Sequence, residues 1–232
     1  MKPHTEKIQI QRFQQGKLID WEDLVLIERS LRLFINGELF YHFVCTDEYL
    51  KELTVGHLFC SGIIHSPADM ISFSIDEEND TIYVETKSKR QPPADTAPSE
   101  KTHLALDYPR IISVFEQFQG LSPLFQDTGA VHSMALLDFD YQVRYFFEDM
   151  GRHNAVDKAI GKALLDGFPL ARSILLASSR MPLELMKKAN RAHIPAVMSV
   201  SAPTLHSIQF AKEQNMVLIG MFRNGRINIY AR

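Results

Sequence analysis

Three short segments of this sequence gather hydroxyl, guanidinium and imidazole groups where a predicted strand gives way to a predicted helix. They are residues 148–154 (EDMGRHN), 178–182 (SSRMP) and 199–204 (SVSAPT). Pro182 and Pro203 suit the first turn of a helix, where backbone N–H groups have no partner within the helix. Such helix starts, with hydroxyls and an Arg nearby, predict anion binding. Helix capping by the serines themselves is the alternative, and it needs no ligand.

The first segment opens the most charged stretch of the chain. Six ionisable residues fall between positions 148 and 158: Glu148, Asp149, Arg152, His153, Asp157 and Lys158. His153 and Asp157 share a helix face, so a nucleotide-acting hydrolase or transferase with His153 as general base, oriented by Asp157, is one hypothesis. Glu148 and Asp149 precede the predicted helix, where the helix dipole favours negative charge, so these two acids have a purely structural explanation. The dipole disfavours the cations Arg152 and His153 in the first turn, and their position there predicts an anionic ligand.

A fourth segment, Arg223-Asn224-Gly225-Arg226, places two guanidinium groups around a glycine. It fits an ordinary hairpin turn with solvated basic flanks. It also fits a close approach of the glycine backbone to a ligand, with both Arg side chains on phosphates. The spacing leaves both interpretations open.

The first third of the chain reads as β-rich. Ile8 and Ile10 alternate with polar residues, and Asn36-Gly37 separates two alternating runs, which predicts a hairpin. Thr46 is predicted to cap a helix over 47–60, and a second hairpin is expected over 71–84. Residues 87–103 hold three prolines, six charges and no large aliphatic side chain. We therefore predict a mobile linker there, ending an N-terminal domain over 1–104.

Strands and helices alternate in the remaining part, over 105–232. Helices are predicted from 109 to 120 and at 152–166, 182–193 and 203–215. Strands are predicted at 134–139, 143–148, 174–179, 196–201 and 216–222, with a last one after Asn224-Gly225. Continuous apolar strands between amphipathic helices favour an α/β domain with a largely parallel sheet covered on both faces. In such sheets ligands bind beyond the carboxyl ends of the strands, so the three serine- and arginine-bearing junctions should line one crevice.

Composition excludes several classes of protein. The 232 residues are 45% hydrophobic and 23% charged, enough for a packed core. A net charge of −3 gives no overall positive field for nucleic acid. No apolar run reaches the roughly 18 residues of a membrane span, and the N-terminus lacks a signal-peptide core, so we expect a cytoplasmic protein without a membrane segment. P-loop, dinucleotide-binding and nucleophile-elbow fingerprints are absent, and the two cysteines fail to supply a zinc deaminase site or another metal site.

Several of these runs together resemble the formate dehydrogenase accessory protein family. The resemblance is carried by Thr128-Gly129-Ala130-Val131-His132, by the EDMGRHNAVDK run over 148–158, and by the two serine-bearing junctions. In the N-terminal half it is carried by Asn36-Gly37, Cys45-Thr46, LTVGHL over 53–58 and Gly62-Ile63-Ile64. The resemblance therefore covers nearly the whole chain.

The resemblance implies a fold, a ligand and partners. The fold is a C-terminal cytidine-deaminase-like three-layer α/β/α domain with a smaller β-rich N-terminal domain, in a homodimer. The ligand is the molybdenum cofactor as bis(molybdopterin guanine dinucleotide), to which the family transfers sulfur from a cysteine desulfurase on behalf of formate dehydrogenase. The guanine-nucleotide segment of the family aligns with 219–224. The candidate cofactor-binding residues are Thr128, Gly129, His132, Glu148, Asp149, Gly151, Arg152, His153, Asp157, Lys158, Ser178, Ser179, Arg180, Ser199, Ser201, Thr204, Ile219, Gly220, Met221, Phe222, Arg223 and Asn224.

The sequence departs from the family at the residues that would carry sulfur. Members have a Cys-x-x-Cys loop before the helix at 109, and here that stretch, 87–103, contains no cysteine. Sulfur transfer through a persulfide needs a thiolate. The remaining thiols, Cys45 and Cys60, have no Lys, Arg or His within two residues. We predict that neither carries sulfur, so that this member either delivers the cofactor without carrying sulfur or depends on a partner for the thiol.

Overall fold

The structure, a computed structural model, describes residues 4–87 and 104–232. The predicted linker lies almost entirely outside the described residues. In the N-terminal part, β1 (Thr5–Gln14) and β2 (Lys17–Leu26) form an antiparallel hairpin. A four-stranded sheet follows in the order β4-β3-β6-β5. Its strands are β3 (Arg29–Ile35), β4 (Glu38–Cys45), β5 (Met70–Asp76) and β6 (Thr81–Thr86).

The predicted hairpin at Asn36-Gly37 is confirmed. Both residues have positive φ, 51° and 85°, as the tight turn between β3 and β4 requires. The helix α1 (Leu50–Cys60) covers one face of this sheet with Leu53, Val55 and Leu58.

The prediction that Thr46 caps α1 is wrong. The helix begins four residues later at Leu50, after Tyr49 in a left-handed conformation that makes no side-chain cap. The Thr46 side chain is buried and contacts residues of the C-terminal part instead. The second strand of the first hairpin, β2, also escaped prediction, because its alternation is broken by charges.

The C-terminal part is a six-stranded sheet with helices on both faces. Its elements, in chain order, are α2 (Tyr108–Gly120), α3 (Pro123–Thr128), β7 (His132–Asp138), β8 (Val143–Asp149), α4 (Arg152–Leu165), β9 (Ser173–Ala177), α5 (Leu183–Arg191), β10 (Ala196–Ser199), α6 (Leu205–Glu213), β11 (Val217–Arg223) and β12 (Arg226–Ala231). One apolar core joins the sheet to α4, α5 and α6, and a second joins its other face to α2. The predicted covering of both faces is confirmed.

The sheet is mixed rather than largely parallel. Its order is β12-β11-β10-β9-β7-β8, and only the β9–β10 and β10–β11 pairings are parallel. The pairings of β7 with β8 and β9, and of β11 with β12, are antiparallel. The strands β8, β9, β10 and β11 nevertheless run in the same direction, which keeps the carboxyl ends of β8, β9 and β10 at one edge of the sheet.

The two parts pack tightly where α1 crosses α4. A Cβ atom added at Gly56 would lie 1.9 Å from the carbonyl oxygen of Asp157, and one added at Gly161 would lie 1.9 Å from that of Glu52. The helices approach this closely only because both positions lack side chains. The division of the chain at residue 104 stays a prediction. Among the described residues, none of the helices has the length and apolar character required to cross a membrane.

Candidate functional site

The three junctions meet at the edge formed by the ends of β8, β9 and β10. Ser178 connects β9 to β7: its N–H donates to the carbonyl of Ser133, and its hydroxyl accepts the Ser133 N–H at 2.9 Å. Met181 and Pro203, which follow β9 and β10, form a parallel bridge. The three segments therefore share one edge of the sheet, whereas their lining of one crevice stays a prediction.

A cavity of about 450 Å³ opens beside this edge, between the sheet, α2 and α3. Its lining residues are Phe118, Gln119, Ser122, Phe125, Gly129, Ala130, Val131, His132, Ser133, Ser178 and Val200. Of the candidate residues, Gly129, His132 and Ser178 line it directly. The lining residues from α2 and α3 were not predicted, because the segment after Gly120 reads as a polar turn and the apolar spacing of the helix from 109 to 120 fits core packing; they are Phe118, Gln119, Ser122 and Phe125. The cavity combines aromatic walls with hydroxyl and imidazole groups, a lining typical of small-molecule sites.

Two unpaired guanidinium groups lie near His132. Within the described part of the chain, the side chains of Arg152 and Arg180 form no hydrogen bond or ion pair, and Nε of Arg152 is buried without a partner. Partial burial lowers the pKa of His132, and the positive charges of Arg152 and Arg180 lower it further. The positive charges of Arg152 and Arg180 contribute a positive potential near His132, which lines the cavity.

The start of α4 adds free backbone donors. Its N-cap is Gly151, which has no side chain with which to cap the helix. The N–H groups of the first turn thus remain available for an anion. His153 lies in this turn, and its pKa is lowered by burial and then by the nearby charges of Lys188 and Arg152.

The dyad that a hydrolase or transferase mechanism would use is not formed. Oδ2 of Asp157 lies 2.5 Å from Nζ of Lys188 and 3.3 Å from Nδ1 of His57, and no hydrogen bond joins Asp157 to His153 in the described ranges. Burial alone would raise the pKa of Asp157, but Lys188 and His57 outweigh burial and lower it. The pairing predicted from the i, i+4 spacing is wrong, because Asp157 points toward α1 and α5.

Glu148 anchors the start of α3, which forms one wall of the cavity. Its carboxylate accepts hydrogen bonds from the Ser122 hydroxyl and from the N–H groups of Leu124 and Phe125, at the start of α3. The Ser133 hydroxyl donates to Ser122 at 2.8 Å. Because its carboxylate accepts these donors, Glu148 serves to fix α3 to β8.

The neighbouring carboxylate, Asp149, lies in the interior. It forms an ion pair with Lys158 at 2.7 Å, and both side chains are fully buried. Thr46 and Asn154 also donate to it. Asp149 and Lys158 thus have no surface to offer a ligand.

Several predicted hydroxyl groups stabilise the junctions themselves. The Ser199 hydroxyl donates to the carbonyl of Ser179 at 2.6 Å, and that of Ser201 donates to the carbonyl of Ser178. The Ser179 hydroxyl contacts the carbonyl of Arg180. Thr204 caps α6 by accepting the N–H of Ser207. The alternative of helix capping by the serines is therefore wrong: Thr204 caps α6, Pro182 precedes α5, and the serine hydroxyls form hydrogen bonds within the loops.

The segment 219–224 packs against the second serine loop. The carbonyl of Ser201 accepts the N–H of Met221, whose φ of 59° is unusual for a residue with a side chain. A Cβ at Gly220 would lie 2.9 Å from that same carbonyl oxygen. Nη1 of Arg223 donates to the carbonyl of Val200 at 3.0 Å, and Arg223 is not among the residues that line the cavity. Ile219 and Phe222 are buried, whereas Asn224 forms the turn into β12.

Neither cysteine lies in an environment that favours a thiolate. Burial raises the pKa of Cys45 to about 12. Cys60 is half-buried, and its pKa is raised by burial and then by the carboxylate of Asp157, although Lys188 and Arg191 oppose this. The fold does supply Cys60 with cationic neighbours from distant positions, but Asp157 and burial outweigh them.

Most of the chain is similar to one protein family. The sequence profile of the FdhD/NarQ family matches residues 26–102 and 90–232. A "Sulfur carrier protein FdhD" of Bacillus subtilis is 32% identical over 94% of this chain and 92% of that protein. A "Protein FdhD" of Methanocaldococcus jannaschii is 33% identical over 97% of this chain and 96% of that protein.

A solved structure has the same fold. The crystal structure of a formate dehydrogenase accessory protein from Desulfotalea psychrophila superposes with a TM-score of 0.87. The match covers 99% of this chain and 98% of that chain, at 24% sequence identity.

Proposed function

Because this chain belongs to the FdhD/NarQ family, we propose that it is an accessory protein for formate dehydrogenase maturation that binds the molybdenum cofactor as its cargo. The form bound is bis(molybdopterin guanine dinucleotide). We also propose that the C-terminal part has a cytidine-deaminase-like fold and that the protein is a homodimer in the cytoplasm. The comparisons with known proteins support the family, and the geometry of the site supports the proposed ligand.

The observation that supports this ligand is the pair of unpaired guanidinium groups, Arg152 and Arg180, beside a partly aromatic cavity. A nucleotide-bearing cofactor has flat ring systems and several phosphates. The phosphates suit Arg152, Arg180 and the free N–H groups at the start of α4, and the rings suit the walls at Phe118 and Phe125. A cavity of about 450 Å³ takes one end of such a ligand rather than the whole of it.

The thiol chemistry of the family falls outside this proposal. Relatives are named sulfur carriers, but this chain lacks the Cys-x-x-Cys and its two thiols stay protonated near neutral pH. We therefore assign to this protein the binding and delivery of the cofactor. If a cysteine desulfurase acts in the same maturation, its sulfur passes to a thiol that this chain does not supply.

Calorimetric titration with GDP, which represents the nucleotide end of the cofactor, tests the proposal. Arg152→Ala and Arg180→Ala should each weaken binding by about 10- to 100-fold, the usual effect of losing a charge-assisted hydrogen bond. Arg144→Ala is the matched control, because Arg144 is exposed and, among residues 4–87 and 104–232, forms its ion pair with Asp138, away from the cavity lining. Absence of saturable GDP binding, or an equal loss in the control, would contradict the proposal. Steady release of phosphate would favour the hydrolase hypothesis instead.

A further inference from the structure

We propose that Thr46, from the N-terminal part, is a positioning residue for the ligand-binding turn at the start of α4. The inference rests on the proposed function for its ligand, but the geometry on which it stands is independent of any ligand. Thr46 lies between two buried charges and joins the end of β4 to the first turn of α4. It acts through Asp149 and does not touch the ligand.

The hydroxyl of Thr46 completes a closed set of contacts with the buried ion pair. Its N–H and its Oγ1 each lie 3.2 Å from Oδ2 of Asp149. Nζ of Lys158 donates to the same Oγ1 at 2.6 Å and lies 2.7 Å from Oδ2 of Asp149. A hydroxyl can accept from Lys158 and donate to Asp149 at once, and no apolar side chain can replace it in both roles.

The other carboxylate oxygen of Asp149 holds the turn itself. Oδ1 accepts the N–H of Gly151 and Nδ2 of Asn154, each at 2.9 Å. These residues are the N-cap and the third residue of α4, so they bracket Arg152 and His153. Nδ2 of Asn154 also donates to the carbonyl of Val44 at 2.7 Å, which ties the turn to β4 a second time.

The energetics favour a geometric role for this network. A fully buried ion pair recovers little more than its desolvation penalty, and apolar residues of the same volume would stabilise the fold about as well. The ion pair fixes the position of Asp149. It therefore also fixes the turn whose Gly151 N–H and Asn154 amide donate to Asp149. Holding Arg152 and His153 in place before the ligand arrives removes an ordering cost from binding.

A set of threonine variants separates positioning from stability. Thr46→Val keeps the shape of the side chain and removes the hydroxyl, and Thr46→Ser keeps the hydroxyl. Thr54→Val is the matched control, because Thr54 is also fully buried and its hydroxyl donates to the carbonyl of Leu50 at 2.7 Å, outside the network. Each variant is measured well below its unfolding midpoint for GDP affinity, and by NMR for the titration of His153.

Both valine variants should lower the melting temperature. Only Thr46→Val should weaken GDP binding, by about fivefold, and Thr46→Ser should restore it to within about twofold. Only Thr46→Val should also shift the titration of His153, because the charged groups around His153 are Arg152, Lys188, Asp157 and Glu184, and their distances change when the turn moves.

An unchanged His153 titration in Thr46→Val, or an equal change in Thr54→Val, would overturn the positioning role. This readout needs no ligand. If the unmodified protein fails to bind GDP, the proposed function fails, while the His153 titration still decides the role of Thr46.

Discussion

The close crossing of α1 and α4 predicts how much stability a substitution at Gly161 costs, and the size of that loss follows from the distances. Replacing Gly161 by Ala adds a Cβ atom 1.9 Å from the carbonyl oxygen of Glu52 and 2.8 Å from the backbone nitrogen of Gly56. Ordinary contacts between such atoms need about 3.5 Å, so the helices must separate by roughly 1.5 Å. The atoms that meet the new methyl group are backbone atoms of a helix, so no side chain can rotate away.

Two opposing effects decide the magnitude. Alanine favours a helix interior over glycine by about 1 kcal/mol. Overpacking of a core costs about 1 to 3 kcal/mol, and contact with rigid backbone places Gly161→Ala at the upper end of that range. The difference is a loss of about 2 kcal/mol, which for a chain of this length lowers the melting temperature by about 4 to 8 °C.

Urea unfolding measured by circular dichroism gives the change directly. Gly120→Ala is the matched control: Gly120 is also helical, at the end of α2, and a Cβ there would meet nothing within 4 Å. The control should be as stable as the unmodified protein or up to about 1 kcal/mol more stable. If Gly161→Ala is stabilised to the same extent as Gly120→Ala, the close crossing of α1 and α4 is wrong.

Three further outcomes are expected. The pKa of His132 is lowered by burial and by the nearby guanidinium groups, and it should rise when GDP neutralises those charges. Binding should then take up a proton and tighten as pH falls through the pKa of His132 in the complex. An NMR titration that shows no rise of this pKa on binding would contradict the prediction. Incubation with a cysteine desulfurase and cysteine should leave Cys45 and Cys60 without persulfide, because burial raises the pKa of both thiols; stoichiometric persulfide that disappears in Cys60→Ser would refute it. Asp157→Asn should cost about 3 kcal/mol at neutral pH, because it strips a buried partner from Lys188. Since the folded pKa of Asp157 is lowered, its contribution is present above about pH 4 and is lost as pH falls through the folded pKa, so urea unfolding should show the difference between Asp157→Asn and the unmodified protein shrinking in acid.

Local patterns in the sequence were sufficient for much of the architecture. Asn36-Gly37 determined a hairpin because both residues tolerate positive φ, and the apolar spacing of α4 and α5 determined two amphipathic helices. The three strand-to-helix junctions share one edge of the sheet, and the prediction that they line one crevice stays a prediction. These features depend on residues close together in the chain, where spacing and side-chain type are enough.

The roles of the charged residues were decided by tertiary structure. Asp157 was expected beside His153 and contacts His57, and Thr46 was expected to cap α1 and contacts Asp149. The partners in each observed contact are 100 or more positions apart, so no local spacing encodes them. The sequence by itself therefore predicted most of the elements, although it missed β2 and α3 and placed the start of α1 too early. Only the tertiary structure decided which carboxylates are buried and which guanidinium groups stay unpaired among the described residues, because burial and pairing depend on what the rest of the fold places against each side chain.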